Sequence, residues 1–180
     1  MKKTVKTVVL FTSLVALISC GNTENKQSVK VNTAKEVKQE KKETADIADA
    51  SFKDGMTGKV FHNYLQLKMA LVETDYDGAK TAAANLAEAF TEERAELKTL
   101  AQQIADSENI EEQRKLFSDF TNSVTPLIEE NLAGGTIYRK FCPMALNGGA
   151  YWLSDIEEIN NPYFGDKMLR CGKVEQEISK

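Results

Sequence analysis

Gly58 to Asp75, G-K-V-F-H-N-Y-L-Q-L-K-M-A-L-V-E-T-D, places Val60, Phe61, Tyr64, Leu67, Leu71 and Val72 at steps of three and four. That spacing puts one apolar stripe along a helix from about Gly58 to Thr74. Such a helix buries its stripe only against other elements, so its neighbours decide the fold. Downstream, Y-D-G-A-K-T-A-A-A-N-L-A-E-A-F starts on Asp75 or Asp77 as N-cap and aligns Ala79, Ala82, Ala83, Leu86 and Phe90. The alanine face lets a partner helix approach closely.

A third helix is expected in T-E-E-R-A-E-L-K-T-L-A-Q-Q-I-A-D, with Leu97, Leu100, Ala101 and Ile104 inward and Glu92 and Glu93 in the first turn, where the helix dipole favours them. A fourth begins at Ser107 or Asn109, and Glu112 stands three residues after Asn109 as in a capping box. Its inward positions are Leu116, Phe117, Phe120, Val124, Leu127, Ile128 and Leu132, with Gly134-Gly135 as the stop. Pro126 lacks an N–H and crowds the preceding turn, so a kink at Asn122 to Thr125 or a split helix is expected. Four amphipathic helices with short connections predict an all-α, up-and-down four-helix bundle.

After Gly135 the period changes. T-I-Y-R-K-F-C alternates, A-Y-W-L is short and aromatic, and Asn147-Gly148-Gly149 between them signals a turn. Ser154 with Glu157 predicts one helical turn, stopped by Asn160-Asn161-Pro162. Residues 136–180 therefore read as an irregular, partly β cap on the bundle.

On the other side of the bundle, residues 1–19 carry Lys2, Lys3 and Lys6, then an apolar run from Val8 to Ile18 that is too short for a comfortable membrane span. They read as an export signal. Leu17-Ile18-Ser19-Cys20 resembles the lipobox of bacterial lipoproteins, which implies lipidation of Cys20 and a membrane anchor made of acyl chains. Gly21 after that cysteine favours the outer over the inner membrane by analogy with lipoprotein sorting, with the protein facing the periplasm. Residues 20–50 hold the lipidated cysteine and a tether without aromatics, too polar to offset chain entropy, with a coil reach on the order of 30 Å. The folded domain is expected at residues 51–180.

The net charge is −4, and removing Lys2, Lys3 and Lys6 with the leader leaves −7. An acidic chain without a basic stripe argues against nucleic acid as a partner. No Ser and His pairing, phosphate-cradling glycine loop or HExxH is present, so no enzyme is expected.

Two cap segments, F-C-P-M-A-L-N-G-G-A-Y-W-L-S and I-N-N-P-Y-F-G-D-K-M-L-R-C-G, together with Y-L-Q-L-K-M-A-L-V-E-T-D from the first helix, carry a resemblance. Over about residues 55–178 the chain resembles a bacterial domain of unknown function. That domain occurs alone behind lipoprotein signals and appended to periplasmic adaptor subunits of copper and silver efflux pumps. The resemblance implies a link to copper handling and an efflux adaptor or other envelope protein as partner.

The residue chemistry is compatible with that link. Thiolate and thioether sulfurs select Cu(I) and similar soft ions. Cys142 and Met144 lie two apart, on one side of an extended backbone; Met168 and Cys171 lie three apart, on one face of a helical turn. Together Cys142, Met144, Met168 and Cys171 form a candidate site for Cu(I) or Ag(I), which Trp152 or Tyr151 would shield. His62, the sole histidine, is a weaker candidate ligand, since a lone His beside Phe61 and Tyr64 is more often a surface or boundary residue. The alternative is a Cys142–Cys171 disulfide, worth roughly 3 to 4 kcal/mol in the chain-entropy model, in an interaction module that binds no metal. A third reading lets the two states interconvert as a metal-responsive redox switch.

Overall fold

A computed structural model describes residues 50–180. The export signal, Cys20 and residues 21–49 of the tether lie outside the described residues. Four helices come first: α1 (Gly55–Glu73), α2 (Tyr76–Glu88), α3 (Ala95–Asp106) and α4 (Ile110–Asn131). Each packs on the next and α1 packs on α4, closing the four around one core.

The helix starts follow local chemistry. Asp54 caps α1 by accepting from the Thr57 amide at 2.7 Å, Asp75 caps α2 through the Gly78 amide at 2.9 Å, and Asn109 caps α4 through the Glu112 amide at 2.9 Å. The capping box at α4 is displaced by one residue, because the Glu112 carboxylate accepts from the Glu108 amide at 3.0 Å. Glu92 and Glu93 fall in a 3-10 turn, Glu92–Arg94, ahead of α3 rather than in its first α-helical turn.

Three expectations are corrected. Pro126 does not split the last helix, which runs unbroken from Ile110 to Asn131. Pro126 and Asn122 are both exposed, so the Asn122 carbonyl that loses its helical donor can turn to water. The helix also stops short of the glycines: Leu132 is already extended, and Leu132–Gly134 forms strand β2 against β1 (Ser51–Phe52). Ser154 starts no helical turn; its hydroxyl instead accepts from the Ile156 amide at 3.3 Å in a bend.

The core is aromatic at its centre. Tyr64 is fully buried and lies within 5.1 Å of Phe117, 6.3 Å of Phe120 and 6.4 Å of Phe61, centroid to centroid. Burying one such ring contributes roughly 2 to 3 kcal/mol. Its hydroxyl would be costly there without partners. It shares a hydrogen bond with Thr121 Oγ1 of α4 at 2.9 Å and accepts from the Leu153 amide at 3.0 Å. One side chain thus ties α1 to α4 and to the cap. Burial also pushes the phenol well above its ordinary range, so it stays neutral.

The cap is more β than the sequence suggests. Strands β3 (Thr136–Cys142), β4 (Ala150–Ser154) and β5 (Lys173–Ser179) form an antiparallel sheet in the order β4-β3-β5. β3 and β4 are a hairpin in regular register from Tyr138 opposite Ser154 to Cys142 opposite Ala150. β5 joins the other edge of β3 with a bulge, since Arg139 faces Gln176 and Lys140 faces Val174. Lys140, Cys142, Ala150 and Trp152 share the buried face of that hairpin.

Tyr64→Phe keeps the ring and removes the hydroxyl, leaving the Leu153 amide without its buried acceptor. Urea unfolding should show a loss of about 1 to 3 kcal/mol. Hydrogen exchange should place the fastest-growing opening at the β4 amides around Leu153.

Candidate functional site

Cys142 is the last residue of β3 and is 0% exposed. Pro143 ends the strand because it brings no amide to the ladder. The chain then turns: Met144 has helical dihedrals (φ −90°, ψ −11°), and a 3-10 turn at Ala145–Asn147 carries Leu146 and Asn147 at φ 49° and 58°. Cys142 and Met144 therefore do not line one face of an extended strand, as their spacing suggests. Met144 is 60% exposed, while Cys142 points into the core.

Cys171 arrives from the opposite direction. Asn161, fully buried, donates from Nδ2 to the Cys171 carbonyl at 2.6 Å; its amide donates to the Leu169 carbonyl at 2.9 Å, and its Oδ1 accepts from the Tyr163 amide at 2.8 Å. The Cys171 amide closes a turn onto the Met168 carbonyl at 3.0 Å. Met168 and Cys171 thus bracket one turn, just after the short 3-10 turn Gly165–Lys167. Gly172 follows at φ 137°, where a Cβ would come within 2.7 Å of the Trp152 ring and 3.1 Å of the Phe141 carbonyl. That close approach presses the Cys171 segment onto the hairpin.

The outcome is a pair of thiols in contact, with Cys142 Sγ and Cys171 Sγ 3.0 Å apart. Cys171 is partly exposed. The hydrogen bond shared with Cys142, which favours the neutral Cys171 thiol, holds it above its ordinary range, with burial second, so ionisation needs a stronger driving force than solvent alone. The sequence motifs put Cys142 and Cys171 in one cap; their meeting depends on Asn161 and Gly172.

His62 sits on the exposed side of α1, beside a cleft that Met69 also lines. Among the described residues no group of three or more His, Cys, Asp or Glu side chains is placed to hold a metal ion. His62 and the two cysteines accordingly make no such group.

Two buried lysines were not singled out by the sequence pattern. Lys140 is 0% exposed and donates to the Glu158 carbonyl at 2.6 Å; Lys68 of α1 is 2% exposed, 3.3 Å from Ser154 Oγ and 3.5 Å from Asp155 Oδ1. The alternation of T-I-Y-R-K-F-C held the signal for Lys140, because residues 140 and 142 fall on one face. Burial, and then the charge of Lys68, pull the Lys140 amine down to about 7, against the opposing pull of Asp155, Glu158 and Glu157.

Residues 60–134 match a family model described as a protein of unknown function, DUF3347. The match spans most of α1, all of α2 to α4, and β2, and it ends before both cysteines. Neither a curated protein nor a solved structure matches the chain.

The lysine shift fixes a pH dependence. An amine near 7 in the folded state against about 10.5 unfolded binds fewer protons when folded, so stability rises with pH across that window and is lost as pH falls through 7. Denaturant midpoints measured from pH 6.5 to 9.5 should climb. Lys140→Met, which keeps the stem and cannot titrate, should flatten the climb.

Proposed function

We propose that the domain holds a soft monovalent ion, Cu(I) or Ag(I), on the Cys142–Cys171 pair, as a lipid-anchored periplasmic protein that buffers the ion or passes it to an efflux system. The observation that carries this reading is the contact of two thiols, one of them partly exposed, 3.0 Å apart at the seam of the cap. Soft thiolates prefer such ions over hard divalent cations. Uptake exchanges two thiol protons for one ion: both S–H bonds break, two metal–sulfur bonds form, and two protons leave to solvent. The raised thiol of Cys171 makes that exchange tighten as pH rises.

Met144, exposed beside Cys142, and Met168, one turn before Cys171, are the thioethers from which further ligation would come. Their flexible, polarizable side chains would swing onto an ion already held by the thiols. The resemblance to domains appended to copper and silver efflux adaptors supports the same cargo and the same class of partner. The expected lipid anchor at Cys20, on an outer-membrane leaflet, would keep the site in the periplasm where such an adaptor works.

A second reading is favoured by the complete burial of Cys142. A buried sulfur against its partner needs about 1 Å of closure to reach the 2.05 Å of a disulfide. The bridge would lock the cap as a metal-free interaction module of the cell envelope. Reversible closure, in which an envelope disulfide oxidant takes two electrons and two protons from the thiols, would make a redox switch that surrenders the ion on oxidation.

Thiol titration and intact mass of the purified chain, then Cu(I) titration against a competing chelator after mild reduction, separate these readings. Metal binding predicts one ion per chain after reduction, lost in Cys142→Ser and in Cys171→Ser. A bridge that forms completely, with no copper uptake once reduced, assigns the pair to stability alone. Met144→Leu preserves bulk without sulfur and should weaken uptake with the fold intact; unchanged affinity removes Met144 from the ligand set.

A further inference from the structure

We propose, building on the redox reading of the cysteine pair, that the pair exchanges disulfides in a fixed order: Cys171 is the sulfur that meets a thiol–disulfide partner, and Cys142 is the resolving sulfur that displaces it.

Access decides the first step. Cys142 is 0% exposed and ends β3, where its pairing with Ala150 of β4 fixes the backbone. Cys171 is partly exposed and lies outside any strand, in the turn that its amide closes onto the Met168 carbonyl at 3.0 Å. Thiol–disulfide exchange passes through a mixed disulfide, so the attacking sulfur has to touch a sulfur of the other molecule. A sulfur shut in the core reaches that contact only if the cap opens. Cys171 reaches it with the cap closed.

Burial decides the second step as well. Once Cys171 carries the partner's sulfur, Cys142 stands behind it on the core side, with the two protein sulfurs 3.0 Å apart in the reduced pair. The partner's sulfur lies toward solvent, so entering and leaving sulfurs approach Cys171 from opposite sides, as displacement at sulfur requires. The hydrogen bonds that hold residue 171, from Asn161 Nδ2 to its carbonyl and from its amide to Met168, engage only backbone atoms. They leave its side chain free to turn between the partner and Cys142.

With a disulfide oxidant, the Cys171 proton leaves to solvent, its sulfur bonds one sulfur of the oxidant, and the other sulfur departs as a thiolate. Cys142 then loses its proton, the Cys142–Cys171 bond forms and the mixed disulfide breaks. Two electrons and two protons have passed from the pair to the oxidant, which ends as two thiols. In the reducing direction a partner thiolate attacks Cys171, and Cys142 is the leaving sulfur.

Glutathione disulfide is the probe, applied to the full-length chain carrying Cys20→Ser, so that the two cap thiols are the only cysteines, and in a chelator, so that the outcome is independent of copper binding. Intact mass and peptide mapping follow the adducts. Cys142→Ala should accumulate one glutathione on Cys171, whereas Cys171→Ala should react roughly tenfold or more slowly, and the two should react alike in urea. The chain with both cap thiols should go on to the bridge and release the glutathione. Substoichiometric iodoacetamide on that same chain should label Cys171 roughly tenfold over Cys142, a readout that needs neither alanine variant to fold. Equal labelling of the two sulfurs, or a chain that stops at the mixed disulfide, overturns the order. Thiols that stay free under the direct oxidant diamide remove the redox reading itself, whereas a bridge that forms with diamide while glutathione settles on Cys142 leaves that reading standing and sinks only the order.

Discussion

The hydroxyl of Tyr64 is the point on which the architecture turns. A phenol at the centre of four helices has to be hydrogen-bonded, and its two partners come from different elements, Thr121 on α4 and the Leu153 amide on β4. Satisfying one polar atom therefore fixes the spacing of α1 and α4 and the depth at which the hairpin enters the bundle end. The rings of Phe61, Phe117 and Phe120 around it supply the apolar burial. The hydroxyl supplies the register.

A second polar centre continues this logic toward the cysteines. Arg114 of α4, almost completely buried, donates from Nε to the Pro162 carbonyl at 2.9 Å and from Nη2 to the Leu71 carbonyl at 3.2 Å and Thr74 Oγ1 at 3.1 Å. It closes the left-handed C-terminus of α1, where Thr74 stands at φ 59°, and clamps the loop carrying Asn161 against that end. Gly165 fits there because a Cβ would lie 2.4 Å from Thr74 Oγ1. From Arg114 through Pro162 and Asn161 to Cys171, a buried side chain donates to a backbone carbonyl at each step, and together these bonds deliver one sulfur to the other.

The helices were legible because their signals are local. Apolar residues at Val60, Tyr64, Leu67 and Leu71, a capping Asp75 and a capping Asn109 act within a few residues, and the structure places each where its pattern says. Pro126 stays inside one unbroken helix, so the split that its local chemistry allowed does not occur. Its effect depends on whether the orphaned carbonyl reaches solvent, and only the orientation of α4 on the core decides that. The cap resisted reading more broadly, since the partner of β3 in β5 lies some forty residues away across a bulge, and nothing in K-V-E-Q-E-I-S announces it.

The candidate sites divide along the same line. The sequence alone determined that the chain builds amphipathic helices, that a different, shorter-period segment follows them, and that this segment holds two cysteines, each with a methionine nearby, because composition and periodicity are properties of neighbours in the chain. Tertiary structure decided that Cys142 turns inward while Met144 turns out, that Cys171 is carried back to it by Asn161, and that Lys68 and Lys140 are buried near one another. Those outcomes rest on long-range hydrogen bonds and on which face of a strand meets the core, and both are settled only when distant segments pack.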